Sequence, residues 1–240
     1  MKHPTPAAPA LAVRDGVAYA LWVPPDPPPA GVVILHGAGS AKENHFDFAR
    51  VALAHGMAAL AFDARGHGES DGPFGPRALD DVRAMCDVML DHAPAVVLRG
   101  SSMGGFLAVL AAARDPRVGA VAAICPAPED LLLRSLRAGR LEFPVDRDPV
   151  EMWLETLSLR DAAAALAPET ALLLMHSEAD EQVPAAISEE LYLVAGQPKR
   201  LLLLPGGHHR SLQHDGEMQA ESVRWMLRAP AVRGRGADTA

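Results

Sequence analysis

Six short, nearly continuous apolar runs punctuate the chain, at 31–35, 57–62, 95–98, 118–124, 171–175 and 200–204. A strand covered on both faces of a parallel sheet reads this way, because neither side of its pleat meets water. Each run is therefore predicted to be a buried strand. A seventh, 17–23, alternates more loosely and stops at Pro24-Pro25-Asp26-Pro27-Pro28-Pro29, which no central strand or helix could contain and which must be a surface connection. Between the runs, 46–55, 77–92, 105–114, 185–194 and 217–228 repeat their apolar residues at helical spacing. Strands alternating with helices of this length require parallel crossovers, so the expected fold class is α/β, a mostly parallel central sheet with helices on both faces.

The alternation lapses between Pro126 and about Thr156, where 131–137 and 150–156 read as two short helices separated by Pro144 and Pro149. Residues 126–157 are expected to form a small lid, inserted into a single domain that takes in all of 1–240. The ends, 1–10 and 229–240, are rich in proline or in glycine and arginine without periodicity, and are expected to be flexible.

Composition narrows the function. A net charge of −8 without any dense Lys/Arg run argues against nucleic acid as a partner. No apolar run approaches the roughly 18 residues needed to span a bilayer, and the start of the chain is broken by prolines where a signal peptide would be apolar. The expectation is a cytoplasmic protein without membrane contact. Cys86 and Cys125 fit no metal-ligand spacing, so neither a metal nor a cofactor is expected. Oligomeric state is not legible.

Gly100-Ser101-Ser102-Met103-Gly104 follows the run 95–98 and precedes an alanine- and leucine-rich helix. At such a strand-to-helix turn the flanking glycines let two elements approach closely around a serine held in a strained conformation with its hydroxyl exposed. The spacing selects Ser102, not Ser101, as nucleophile. A serine hydroxyl needs a base to take its proton, and the base needs an acid to hold its tautomer. The run 171–175 leads into His176-Ser177-Glu178-Ala179-Asp180-Glu181-Gln182-Val183-Pro184, where Asp180 is the leading acid and Glu178 its rival. The run 200–204 leads into Pro205-Gly206-Gly207-His208-His209, and one of the two histidines should be the base. An oxyanion needs donors already aimed at it, which backbone N–H groups provide. Met103 follows the nucleophile, and His36-Gly37-Ala38-Gly39-Ser40 follows the first buried strand; Ala38 is the second donor chosen, ahead of Gly39.

Laid out in this order, the segments resemble the α/β-hydrolase superfamily, in its broad group of small esterases, lipases and serine-aminopeptidase-like enzymes, over roughly 17–228. His36 to Ser40 resembles the oxyanion loop. Asp63-Ala64-Arg65-Gly66-His67-Gly68-Glu69-Ser70 resembles a D-x-R-G-x-G-x-S turn, to which the resemblance assigns a structural and not a catalytic role. The acid loop is similar to H-G-x-x-D-x-x-V-P, with Ser177 where glycine is usual, and Gly206-Gly207-His208-His209 to a G-x-x-H loop that selects His209. Lys42 to His45 are taken as solvated loop residues.

The resemblance implies hydrolysis of a carboxylic ester or related acyl bond in a small molecule, through Ser102, His209 and Asp180 with the Ala38 and Met103 amides. Amide or thioester cleavage, acyl transfer and halogenation are alternatives on the same residues, and a silent binding protein is an alternative of another class. The lid residues Leu131, Leu132, Leu133, Leu136, Phe143, Met152 and Trp153 either line an acyl pocket or pack the lid onto the body.

Overall fold

Successive side chains of a strand point to opposite faces, so an apolar run places core residues on both sides of a sheet. Gly31–Leu35 does this: Val33 and Leu35 enter one core cluster, Val32 and Ile34 the other. In the computed structural model, which describes residues 8–232, the elements run β1 Ala10–Arg14, β2 Val17–Trp22, β3 Gly31–Leu35, a 3₁₀ turn Lys42–His45, α1 Phe46–Ala54, β4 Ala58–Phe62, α2 Ala78–Leu90, β5 Val96–Ser101 and α3 Met103–Arg114. They continue with β6 Val118–Ile124, α4 Glu129–Arg137, α5 Arg147–Leu154, α6 Leu159–Ala164, β7 Ala171–Ser177, α7 Ala186–Val194, β8 Lys199–Leu204, α8 Ser211–His214 and α9 Gly216–Arg228.

The strands form one eight-stranded sheet in the order β1-β2-β4-β3-β5-β6-β7-β8. β1–β2 and β2–β4 pair antiparallel, and every later pair is parallel. Helices α2 to α7 contribute to the cluster on one face, α1, α8 and α9 to that on the other. The expected α/β class is the observed one. No helix among the described residues is long and apolar enough to cross a membrane.

Three readings are corrected. β1 occupies a stretch given no element: Asp15 and Gly16, both at positive φ, turn the chain into a two-residue hairpin that sets β1 on the sheet edge. β8 is the other edge, and all six of its residues are only half-buried. α6, also unforeseen, starts at Ser158, whose hydroxyl accepts the Asp161 N–H.

Between β6 and β7 the chain forms α4 and α5 where two short helices were expected. Phe74 N–H donates to Pro144 O at 2.9 Å and Asp146 N–H to Phe74 O at 3.1 Å, fastening the joint between them to the turn after β4. Of the ends expected to be flexible, 1–7 and 233–240 lie outside the described residues, while Ala10 opens β1 and Ala229 and Val232 are buried.

Candidate active site

The end of β5 delivers Ser102 at φ +53° and ψ −119°, a left-handed conformation that costs a non-glycine residue of order 1–3 kcal/mol. Backbone bonds hold it there: Ser102 N–H donates to Ile124 O at 2.9 Å, and Ser102 O accepts from Phe106 N–H and Ala127 N–H at 3.0 and 3.2 Å. The flanking glycines are sterically required. A Cβ on Gly100 would stand 2.1 Å from Gly104 O, and one on Gly104 would stand 2.2 Å from Leu35 O. Met103 opens α3, so its N–H is among those a helix cannot satisfy internally.

β7 ends just before Asp180, whose side chain is wholly buried. One carboxylate oxygen, Oδ1, accepts from Gln182 N–H at 2.8 Å and Val183 N–H at 2.9 Å; the other, Oδ2, lies 2.7 Å from His209 Nδ1. Burial opposes the charged carboxylate, but the Val183 amide, His209 and the Gln182 amide together outweigh it and hold the pKa below the usual carboxylate range. Glu178, the rival, is exposed.

The pair His208-His209 is separated by the turn after β8, where Gly206 and Gly207 both take positive φ. His209 is buried against Asp180, with its N–H donating to Glu181 Oε2 at 3.1 Å. The His208 side chain is 87% exposed and its Nδ1 stands 3.9 Å from Glu181. Asp180 only accepts, so His209 Nδ1 carries a proton, and in the neutral ring Nε2 then holds the lone pair.

Ser102 and His209 line one cavity of about 200 Å³ with Ala38, Ser40, Asn44 and Gln213. On the side of α4, Ser102 and Ala38 also line a second cavity of about 520 Å³, walled by Ala127, Leu131, Leu132, Leu141 and Val183 together with the polar Arg134, Arg140, Glu181 and Gln182. The residues expected to form a lid divide between the two roles. Leu131 and Leu132 face this cavity, Leu136 is buried, Leu133 packs half-buried on the core, Phe143 and Trp153 pack on the rings of His67 and Phe74, and Met152 is exposed.

Several supporting residues stand outside those the sequence singles out for chemistry. His176 lies under the acid loop: Nε2–H donates to Val183 O at 2.9 Å, and Nδ1 accepts from Ser188 Oγ at 2.7 Å. Ser101 Oγ donates to Gln213 Oε1 at 2.7 Å. Lys42 and His45, read as solvated, are buried: Lys42 Nζ bonds Asp63 Oδ2 at 2.8 Å, and its N–H bonds Oδ1. The 3₁₀ turn folds inward onto Asp63, just after β4, and brings the ammonium and N–H of Lys42 to its two carboxylate oxygens.

Among the described residues one group has metal-ligand chemistry: Cys125, Asp180 and His209 place ligand atoms within 4.8 Å of one another. Asp180 and His209 already satisfy each other, and burial pushes the Cys125 thiol pKa far up, keeping it protonated as a donor toward Asp180. A metal would need the thiolate.

The sequence profile described as serine aminopeptidase, S33, matches residues 26–133. The uncharacterized protein YfhR of Escherichia coli K12 is 30% identical over 209 residues, covering 82% of this chain and 70% of its own. Among solved structures, a soluble variant of the monoglyceride lipase of Saccharomyces cerevisiae in complex with a substrate analogue superposes with a TM-score of 0.74 at 15% identity, over 94% of this chain and 97% of that one. Est1E from Butyrivibrio proteoclasticus with ferulic acid bound gives 0.71 at 23% identity, over 92% and 99%.

Proposed function

The chain belongs to the α/β-hydrolase superfamily, and on that premise we propose that it is a serine hydrolase cleaving carboxylic esters through an acyl-enzyme intermediate. One observation carries the reading: Ser102, strained at a strand-to-helix turn, lines the same cavity as a histidine hydrogen-bonded to a buried carboxylate.

Ser102 Oγ attacks the carbonyl carbon while His209 Nε2 takes its proton, and Asp180 steadies the cation through Nδ1–H. The carbonyl oxygen, now an anion, accepts from the Ala38 and Met103 N–H groups. Collapse breaks the bond to the leaving alkoxide, which takes the proton from His209. Water then attacks the acyl carbon with His209 again as base, releasing the acid and returning the proton to Ser102. On this reading the small-molecule acyl chain lies along the Leu131, Leu132 and Leu141 wall of the larger cavity, which Arg134, Arg140 and Glu181 also line, and the leaving alcohol enters the polar cavity of Ser40, Asn44 and Gln213. An ester is favoured by the monoglyceride lipase and the ferulic-acid-binding Est1E among the structural neighbours.

The test is intact mass after a fluorophosphonate probe. A single adduct is expected on the wild type and none on Ser102→Ala, with labelling slowed in His209→Ala and unchanged in His208→Ala. A folded wild type that takes no label refutes the proposal. Labelled protein that turns over amides but no ester in a panel of graded acyl length refutes the substrate class alone.

A further inference from the structure

The loop carrying Ala38 is held by a hydrogen bond in which an imidazole accepts. Gly39 N–H donates to His67 Nε2 at 3.0 Å, while the other ring nitrogen, Nδ1, lies 3.1 Å from Arg65 O. A carbonyl oxygen only accepts, so Nδ1 carries the proton and Nε2 is left with its lone pair. His67 therefore serves the loop only as the neutral Nδ1–H tautomer. Its surroundings favour that form: the residue is 6% exposed, and burial, its largest influence, lowers its pKa.

Ala38 packs against the core, but packing does not extend to the next residue. Gly39 sits at φ +68°, and no atom lies within 4 Å of where its Cβ would stand. The turn is fixed there by Gly39 N–H to His67, by Ser40 N–H to Gly37 O at 3.2 Å and by Asn44 Nδ2–H to Ser40 Oγ at 3.0 Å. On the other side, the Phe143 ring lies 3.9 Å from that of His67, centroid to centroid, and the His36 ring 4.8 Å away. Phe143 belongs to the stretch between α4 and α5 that is fastened to Phe74. Its ring covers part of the imidazole, which is 6% exposed.

We propose that His67 is a positioning residue for the hydrolysis: by accepting the Gly39 N–H under the cap of Phe143, it fixes the loop conformation in which Ala38 N–H serves the oxyanion. The proposal rests on the reading of Ser102 as nucleophile. It gives the Asp63–Ser70 turn a functional part that the resemblance in sequence did not assign.

Two variants test it. His67→Phe keeps a ring against Phe143 and removes the acceptor; His67→Gln restores an acceptor at similar reach. For His67→Phe, kcat for an ester should fall about 10- to 100-fold with KM within about twofold, a smaller loss than deletion of an oxyanion donor causes. His67→Gln should recover most of it. A folded His67→Phe with wild-type kcat, or a His67→Gln no better than His67→Phe, overturns the proposal while leaving the hydrolase reading intact. Absence of fluorophosphonate labelling on wild type removes both. Should His67→Phe fail to fold, ¹⁵N NMR of the wild type decides: a scalar coupling from Gly39 N to His67 Nε2 across the hydrogen bond is expected, and an Nε2–H tautomer overturns the proposal.

Discussion

Lys42 is the perturbation whose consequences can be worked furthest. Its side chain is 1% exposed, and its ammonium bonds Asp63, itself fully buried, at 2.8 Å, with Glu43 and Glu69 as further, exposed partners. In Lys42→Met the alkyl stem is replaced by similar volume, so the loss is electrostatic. Contacts to the two exposed glutamates contribute little. Stranding one member of a buried ion pair costs about 3–5 kcal/mol. Asp63 would keep two backbone donors, Lys42 N–H at 2.8 Å and Glu69 N–H at 2.9 Å, which places the loss near the lower figure, about 3 kcal/mol. For a chain of this size that corresponds to a melting temperature lower by roughly 6–12 °C. Urea denaturation of Lys42→Met, Asp63→Asn and the double variant reads the pair directly, and a coupling of about 2 kcal/mol is expected, the double losing less than the sum of the singles. A loss below about 1 kcal/mol in Lys42→Met, or strict additivity, would refute the reasoning that the pair is electrostatically isolated from water.

Acid should begin to destabilise the fold above the range in which carboxylates titrate. His45 has no hydrogen-bond partner on either ring nitrogen among the described residues, and burial, aided by Arg99, lowers its pKa to about 3; burial likewise lowers His36 to about 4. Unfolded histidine titrates near 6.5, so between there and the folded values the unfolded chain binds protons that the folded one does not, and stability falls as pH falls through that window. His45→Leu should match or exceed wild type at pH 7 and lose less between pH 6.5 and 4; superimposable profiles of melting temperature against pH would sink the explanation. Gly104→Ala would drive a methyl to 2.2 Å from Leu35 O and 2.6 Å from His36 O, backbone atoms that cannot rotate away. It should cost about 3 kcal/mol or more in chemical denaturation, and a change under about 1 kcal/mol would mean that the crossing of α3 over β3 is looser than described.

The α/β class, the buried strands β3 to β7 and the elbow at Ser102 were legible because each depends on neighbours in sequence: an apolar run for a strand, helical spacing after it, glycines two residues either side of a serine. β1 leaves a weaker trace, Asp15-Gly16 between loosely alternating residues beside a proline-rich start. β8 reads as buried and is not, because four consecutive leucines look the same whether one edge is covered or both. The loop ranks the acid, but two adjacent histidines leave the base open to anything except a family resemblance. In the structure, two positive-φ glycines turn His209 inward and His208 outward, a matter of chain direction that composition does not carry.

Local pattern thus determined the fold class and the types of residue available for chemistry at each strand end. Tertiary structure alone decided which atoms meet: Asp180 with His209 across 29 residues, Gly39 with His67 across 28, and Lys42 with Asp63 across 21. The physical reason is that periodicity encodes burial, which is additive along the chain, whereas a hydrogen bond between distant groups depends on distance and direction that only the closed sheet supplies. Charge adds to the limit, since Lys42 and Asp63 each read as solvent-facing until the fold brings them together and makes burial of both tolerable.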